Sequence, residues 1–149
     1  MPSALELEIT ERGDSVGTAE LQQIVDEFHA CGLRLSLDDF GSQYANLSLF
    51  ANVRFDTVKL DRSLIAEVVS NPISRTLVQD IVRICCTHEM ACVAEGVETR
   101  EQVEVLLEAG CTFGQGFYYD RPISMEEFER KYLCASVSAE PEGSKEDRV

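Results

Sequence analysis

Hydrophobic and polar residues follow two alternating patterns along this chain, and these patterns predict strands and helices in turn. Residues 4–10, "ALELEIT", alternate apolar and polar positions with the period of a strand. Residues 18–32 instead repeat apolar positions every three or four residues and end at a glycine, as helices often do. Predicted strands cover 4–10, 33–39, 56–61, 91–96 and 111–116, and predicted helices cover 18–32, 46–52, 74–89, 99–109 and 124–133.

The order of these elements predicts an α/β fold with a parallel sheet. Strand and helix alternate five times, which calls for crossover helices between parallel strands. A closed barrel of this kind needs eight units and about 250 residues. The 149 residues here therefore predict a TIM-like (β/α) barrel that is incomplete, with about five β/α units, or else an open sheet.

Three helix starts can be predicted from their capping residues. Asn71-Pro72 breaks the chain, and Ser74 is expected to cap a helix that runs to about Glu89. The inward face of that helix is predicted to carry Leu77, Ile81, Ile84, Cys85 and His88. Capping boxes at Thr99–Gln102 and Ser124–Glu127 are expected to open the last two helices.

Charge and composition exclude several classes of protein. A net charge of −14, from 27 acids against 13 lysines and arginines, argues against unaided binding to a nucleic-acid polymer. It leaves a phosphate ligand possible, because bound divalent cations can dominate the local field. No apolar run reaches the roughly 18 residues of a membrane span, and no signal peptide opens the sequence. These features predict a cytoplasmic location.

Cysteine usage and the C-terminal composition add two expectations. The six cysteines, which lie in apolar segments and form no C-x-x-C pair, are expected to be buried free thiols: Cys31, Cys85, Cys86, Cys92, Cys111 and Cys134. From residue 135 onward Ser, Glu, Pro, Gly and Lys dominate. We therefore expect one domain over 1–134 and a disordered tail over 135–149.

Polar side chains gather where the predicted strands end. The residues concerned are Glu8, Glu11, Asp38, Asp39, Lys59, Asp61, Glu95, Glu98 and Gln115. Because active sites of βα barrels collect at the carboxyl ends of the strands, these side chains are expected to meet at one rim. Two adjacent aspartates repel each other unless a positive charge lies between them. Oxygen ligands without thiolate or imidazole suit Mg²⁺ or Mn²⁺, so the sequence predicts a divalent metal there.

Each residue also has a simpler interpretation. Glu6 is expected to face outward, and Asp61 is expected to cap the helix that follows it. Glu11 taken alone fits a surface or loop-supporting position. Asp38-Asp39 could form a turn before a glycine, and Lys59 could be solvated. The pattern across five strands is harder to explain in this way.

Five segments in order resemble motifs of the EAL domain, the family of bacterial cyclic-di-GMP phosphodiesterases. They are "LELEITE", "LSLDDFGSQYANLSLF", "FDTVKLDRSLI", "VAEGVET" followed by "EQ", and "GCTFGQGFYYDRP". The resemblance extends over roughly residues 4–133. It implies that the chain is the C-terminal portion of such a domain, with cyclic-di-GMP as substrate, two Mg²⁺ or Mn²⁺ ions and linear pGpG as product.

The resemblance also implies a role for each site residue. Glu8 and Asp38 would bind metal directly, with Asp38 bridging the two ions, and Asp39 would bind the second ion. Lys59 would orient or activate the attacking water. Glu95 would join the second-metal shell, Glu98 and Gln115 would complete the polar shell, and Glu11 would support the loop after Asp39.

Two departures from the family pattern shape our expectations. The glutamate of the E-A-L motif and an asparagine ligand from an upstream strand do not occur in this sequence. The loop after the aspartates reads Gly41-Ser42-Gln43-Tyr44 where the family has G-T-G-Y, so Gln43 replaces a glycine. We expect weak metal binding, little turnover by this chain alone, and upstream signalling domains in the parent protein.

Two alternative functions stay open at this point. One is a non-catalytic module that binds cyclic-di-GMP or forms a homodimer or larger assembly through an open sheet edge. The other is a Mg²⁺-dependent enolising barrel with Lys59 as its base, which the order of the motifs disfavours.

Overall fold

The computed structural model describes residues 5–10, 17–42 and 47–133. Glu11, Gln43 and Cys134 lie outside these ranges, as does the predicted tail over 135–149. The expectations that concern those positions therefore remain predictions.

Five strands form one parallel sheet in the order of the chain, β1-β2-β3-β4-β5. The strands are β1 (Glu6–Thr10), β2 (Arg34–Phe40), β3 (Thr57–Leu60), β4 (Ala91–Ala94) and β5 (Phe113–Gly114). The helices are α1 (Thr18–Ala30), α2 (Leu47–Asn52), α3 (Arg62–Glu67), α4 (Pro72–Thr87), α5 (Arg100–Glu108) and α6 (Met125–Phe128), and α6 continues into a π-helical turn (Glu129–Leu133). The predicted α/β architecture of an incomplete barrel is confirmed.

The apolar core lies on one face of this sheet, beneath the helices. Alternate residues of β2 and β3 are almost fully buried there, and they pack with residues of α1 and α4: Leu35, Leu37, Val58, Leu60, Val25, Val78 and Val82. Burial of each such side chain contributes about 1.5–3 kcal/mol, which fixes the register of the sheet. The opposite face therefore receives the intervening polar residues Ser36, Asp38, Thr57 and Lys59.

The start of α4 differs from the prediction. Asn71, not Ser74, caps the helix, because its side-chain oxygen accepts hydrogen bonds from the amides of Ile73 (2.9 Å) and Ser74 (3.4 Å). Pro72 occupies the first turn, where its missing N–H leaves no bond unmade. Ser74 lies inside the helix, and its hydroxyl donates to Glu67 at 3.2 Å.

The inward face of α4 was also only partly predicted. Ile81 and Cys85 are buried as expected, but Leu77 and Ile84 are 45% and 39% exposed. The buried stripe instead runs through Ser74, Val78 and Val82. Leu77, Ile84 and His88 line a groove of about 840 Å³ between α2 and α4, so this side of the helix faces a cleft.

The cysteines divide into two groups. All five described cysteines are free thiols. Cys85, Cys92 and Cys111 are buried as predicted, but Cys31 and Cys86 are exposed, so the expectation of burial was wrong for these two. Cys31 follows the last turn of α1 and Cys86 lies on the outer side of α4, where no element of the described chain covers them.

No helix in the described ranges has both the length and the apolar character that a membrane crossing requires.

Candidate metal centre

A bulge at the end of β2 brings both aspartates into the same site. Leu37 pairs with Val58 and Phe40 pairs with Leu60, so three steps along β2 match two steps along β3. Asp39 takes up the extra residue with a left-handed φ of 57°, a conformation that aspartate tolerates better than most residues. In a regular strand the two side chains would point to opposite faces. Here the carboxylates of Asp38 and Asp39 both join Glu95 in one cluster.

Lys59 lies at the centre of the acids. Its Nζ atom is 2.9 Å from a carboxylate oxygen of each of Glu8, Asp38 and Glu95. The side chains of Lys59, Asp38 and Glu95 are only 15–16% exposed. Burial by itself lowers the pKa of Lys59, but its contacts with Asp38, Glu8 and Glu95 outweigh burial and hold the pKa above its ordinary value of 10.5. In this arrangement Lys59 is a charged donor, suited to orienting an oxygen atom.

The two loops that follow β4 and β5 complete the centre. The side-chain amide of Gln115 donates to Glu95 Oε1 at 2.7 Å. The backbone joins the same loops, because the Val97 amide donates to the Gln115 carbonyl and the Tyr118 amide donates to the Val97 carbonyl, both at 3.0 Å. Gly116 allows this approach, since a Cβ atom there would lie 2.2 Å from the Val97 oxygen.

The structure thus assembles six of the predicted site residues: Glu8, Asp38, Asp39, Lys59, Glu95 and Gln115. Glu98 is exposed at the edge of the same rim, three residues beyond Glu95. Asp61 caps α3 by accepting from the Ser63 amide at 2.9 Å, which confirms its structural interpretation. Glu6 is exposed on β1, as predicted. Glu11 lies outside the described residues.

The donors fit a hard divalent cation. One oxygen atom from each of Asp38, Asp39 and Glu95 lies within 4.8 Å of the others, and all three residues are partly buried. Asp38 Oδ1 is itself buried, and although Lys59 Nζ is 2.9 Å away, the contact is not aligned as a hydrogen bond. Such a set of carboxylate oxygens suits Mg²⁺ or Mn²⁺ and does not suit thiophilic metals.

One long-range hydrogen bond near this site, made by Gln102, was not predicted from the sequence. Gln102 was expected only to close a capping box with Thr99, and it does so. It also reaches Ile65 in α3, 37 residues away along the chain. No local sequence pattern could indicate that contact.

Comparison with known proteins places the chain in a family. The EAL domain model matches residues 1–122. The cyclic di-GMP phosphodiesterase PdeL of Escherichia coli K12 is 35% identical over 129 residues, which cover 87% of this chain and 36% of PdeL. The chain therefore spans about a third of that relative.

Solved structures show the same similarity. The EAL domain of Mycobacterium smegmatis DcpA superposes with a TM-score of 0.80 at 34% identity, over 91% of this chain and 60% of that one. A manganese and cyclic-di-GMP complex of Klebsiella pneumoniae BlrP1 has a TM-score of 0.74 at 30% identity, over 81% of this chain and 31% of that one. With its strand-end acids, its bulged aspartate pair and these matches, the chain belongs to the EAL domain family.

Proposed function

We propose that residues 1–134 form the C-terminal part of an EAL domain and supply most of the metal-binding rim of a cyclic-di-GMP phosphodiesterase. The reaction would be hydrolysis of one phosphodiester bond of cyclic-di-GMP to give linear pGpG. The observation that carries this proposal is the clustering of Asp38, Asp39 and Glu95 oxygens within 4.8 Å beside Lys59. The manganese and cyclic-di-GMP complex of BlrP1 supports both the metal and the ligand.

The chemistry divides between the cations and the side chains. Bound Mg²⁺ or Mn²⁺ supplies charge stabilisation at the phosphoryl oxygens and lowers the pKa of a bound water. Glu8, Asp38, Asp39 and Glu95 would hold the ions through their carboxylate oxygens. Lys59 would donate a hydrogen bond that orients the attacking water, and Gln115 would keep the Glu95 carboxylate in place.

We expect low turnover from this chain alone. In the family two further oxygen ligands, the glutamate of the E-A-L motif and an asparagine, complete the first metal site, and neither occurs in residues 1–149. An ion held by fewer protein ligands is less fixed, and a misplacement of about 1 Å can reduce rates about a hundredfold. Addition of a segment that carries both ligands should raise turnover sharply.

A second candidate function is a non-catalytic module that binds cyclic-di-GMP or associates with itself. The outer strands favour it, because within the described residues β1 pairs with β2 alone and β5 with β4 alone. Near these edges Leu7 is 37% exposed and Phe113 is 59% exposed. An open edge with apolar side chains favours a homodimer or a larger assembly. We further propose that signalling domains lie upstream of this chain in the parent protein.

A cytoplasmic location fits this function. The five described cysteines are free thiols, which is typical of a reducing compartment. A cytoplasmic second messenger would be accessible to the chain there.

Turnover, measured together with cyclic-di-GMP binding, separates the candidates. Release of pGpG is followed by chromatography with Mn²⁺ present, for the wild type and for Lys59→Ala, each with and without the added segment. We expect turnover only with the segment, and loss of that turnover in Lys59→Ala. Cyclic-di-GMP binding without turnover in any arm would favour the non-catalytic module, and robust turnover by residues 1–149 alone would contradict the incomplete-site argument.

Light scattering at low micromolar concentration tests association. We expect a dimer or larger species. A monomer that unfolds cooperatively would show that the chain closes its core without a partner.

A further inference from the structure

Gln102 is a buried polar residue in the first turn of α5, only 6% exposed. Its side-chain oxygen accepts hydrogen bonds from two backbone amides, those of Glu98 at 2.8 Å and Thr99 at 3.0 Å. Its side-chain nitrogen donates to the Ile65 carbonyl of α3 at 3.1 Å. One side chain therefore joins the loop after β4 to the helix after β3.

A helix cap requires only part of this arrangement. In a capping box the third helical residue bonds the amide of the capping residue, which here is Thr99. The bonds to Glu98 and Ile65 go beyond that motif. Buried polar groups that are fully hydrogen-bonded fix local structure, because leaving any of them unpaired is costly.

The segment from Glu95 to Glu98 carries two of the predicted site acids. Three of its amides are held by three different elements: Glu95 donates to the Leu60 carbonyl at 3.0 Å, Val97 to the Gln115 carbonyl at 3.0 Å, and Glu98 to Gln102 Oε1 at 2.8 Å. The first two acceptors are backbone atoms. Gln102 is the one side-chain acceptor among these three, so it is the anchor that a substitution can remove.

We propose that Gln102 is a positioning residue for the metal centre. By fixing the Glu98 end of the segment against α3, it keeps the Glu95–Glu98 acids aligned with the strand end that carries Lys59. The inference rests on the proposed function, since it assigns Gln102 a role toward the ions that this site would bind. Supporting residues around metal ligands affect affinity about 10–100-fold when they are replaced.

Calorimetric titration with Mn²⁺ of the full 149-residue chain tests the role, with no nucleotide present. Gln102→Met keeps an unbranched side chain of similar size and removes all three hydrogen bonds. We expect its Mn²⁺ dissociation constant to rise about tenfold or more. Thr99→Val is the matched control. It removes the hydroxyl oxygen that accepts a hydrogen bond from the backbone N–H of Gln102 at 3.3 Å, but it leaves the bond between Glu98 and the Gln102 side chain in place. Its dissociation constant should equal that of the wild type.

Thermal unfolding of each variant separates positioning from stability. Both substitutions should lower the melting temperature, but only Gln102→Met should weaken Mn²⁺ binding. If Gln102→Met does not fold, Gln102→Asn replaces it, because its shorter amide cannot span Glu98 and Ile65 at once. The same loss of affinity is expected from it.

The outcomes are distinct. Wild-type affinity in the Gln102 variants, or an equal loss in Thr99→Val, would overturn the positioning role and leave the proposed function standing. Failure of the wild type to bind Mn²⁺ would contradict the proposed function itself, and the inference with it.

Discussion

The carboxylates at the two ends of the central strands differ in how many donors and cations they contact. At the amino end, Asp56 lies just before β3, accepts a hydrogen bond from the Leu35 amide at 2.8 Å and contacts His29 Nε2 at 2.9 Å. At the carboxyl end, Glu8, Asp38 and Glu95 share the single ammonium group of Lys59. One acid has several donors, whereas three acids share one cation.

This difference separates stabilising from functional charge. The Asp56 cluster satisfies its carboxylate locally and ties α1 to the sheet. The Lys59 cluster concentrates negative charge beside a bulge with a left-handed aspartate. Such an arrangement costs stability, and in the proposed function it serves to bind a cation. We therefore expect substitutions at the two ends to differ in how they respond to metal.

Removal of the rim cation should have the largest effect. Lys59→Met leaves the partly buried carboxylates of Asp38 and Glu95 without their counter-charge, so the free energy of unfolding should fall by about 2 kcal/mol in the absence of metal. Added Mn²⁺ should restore most of that loss, because it replaces the missing positive charge. Urea unfolding with and without Mn²⁺ measures both quantities.

Arg83→Met is the matched control for that experiment. Arg83 pairs with Asp80 on the surface of α4 and is 75% exposed. Its loss should change stability by less than about 0.5 kcal/mol, with or without Mn²⁺. A Lys59→Met defect that Mn²⁺ leaves unchanged would argue against a cation site at the rim.

Loss of the amino-end acid should have a smaller effect that metal cannot repair. Asp56→Ala leaves the Leu35 amide without its side-chain acceptor, so stability should fall by about 1–2 kcal/mol. Mn²⁺ affinity should stay at the wild-type value. Reduced Mn²⁺ binding in this variant would mean that the two ends are coupled and would weaken the comparison.

The sequence predicted the layout of the site because parallel strands end at one edge. From the strand-helix order, Glu8, Asp38, Lys59, Glu95 and Gln115 were expected to meet there. The capping box at Thr99 was predictable for a different reason, since it depends only on neighbours in sequence.

Other features depend on contacts that no local pattern records. The bulge at Asp39 breaks the two-residue period, so the joint placement of both aspartates was not derivable from alternation. Asn71 and Ser74 both carry capping side chains, and the position of Pro72 between them decided in favour of Asn71. The Gln102–Ile65 bond spans 37 residues.

The smallest expected effect is a change in acid sensitivity. Burial raises the pKa of Asp56, but the Leu35 amide, His29 and Arg34 outweigh burial and hold the pKa below its ordinary value of 3.8. Its stabilising contribution is therefore present above the unfolded-state pKa and is lost as the pH falls through the lower folded-state value. Asp56→Asn should show a shallower loss of stability below about pH 4 than the wild type. Thermal unfolding of both proteins across this pH range is the measurement. An equal loss of stability at low pH in Asp56→Asn and the wild type would contradict the lowered pKa of Asp56.

Calorimetric titration with Mn²⁺, comparing the wild type with Asp38→Ala, tests the central claim most directly. Asp38 belongs to the oxygen cluster and contacts Lys59, and in the proposed function it is a ligand of the ions. We expect weak but measurable binding by the wild type and its loss in Asp38→Ala, while circular dichroism shows both proteins folded. Equal Mn²⁺ binding by the two proteins would place the metal elsewhere and contradict the account.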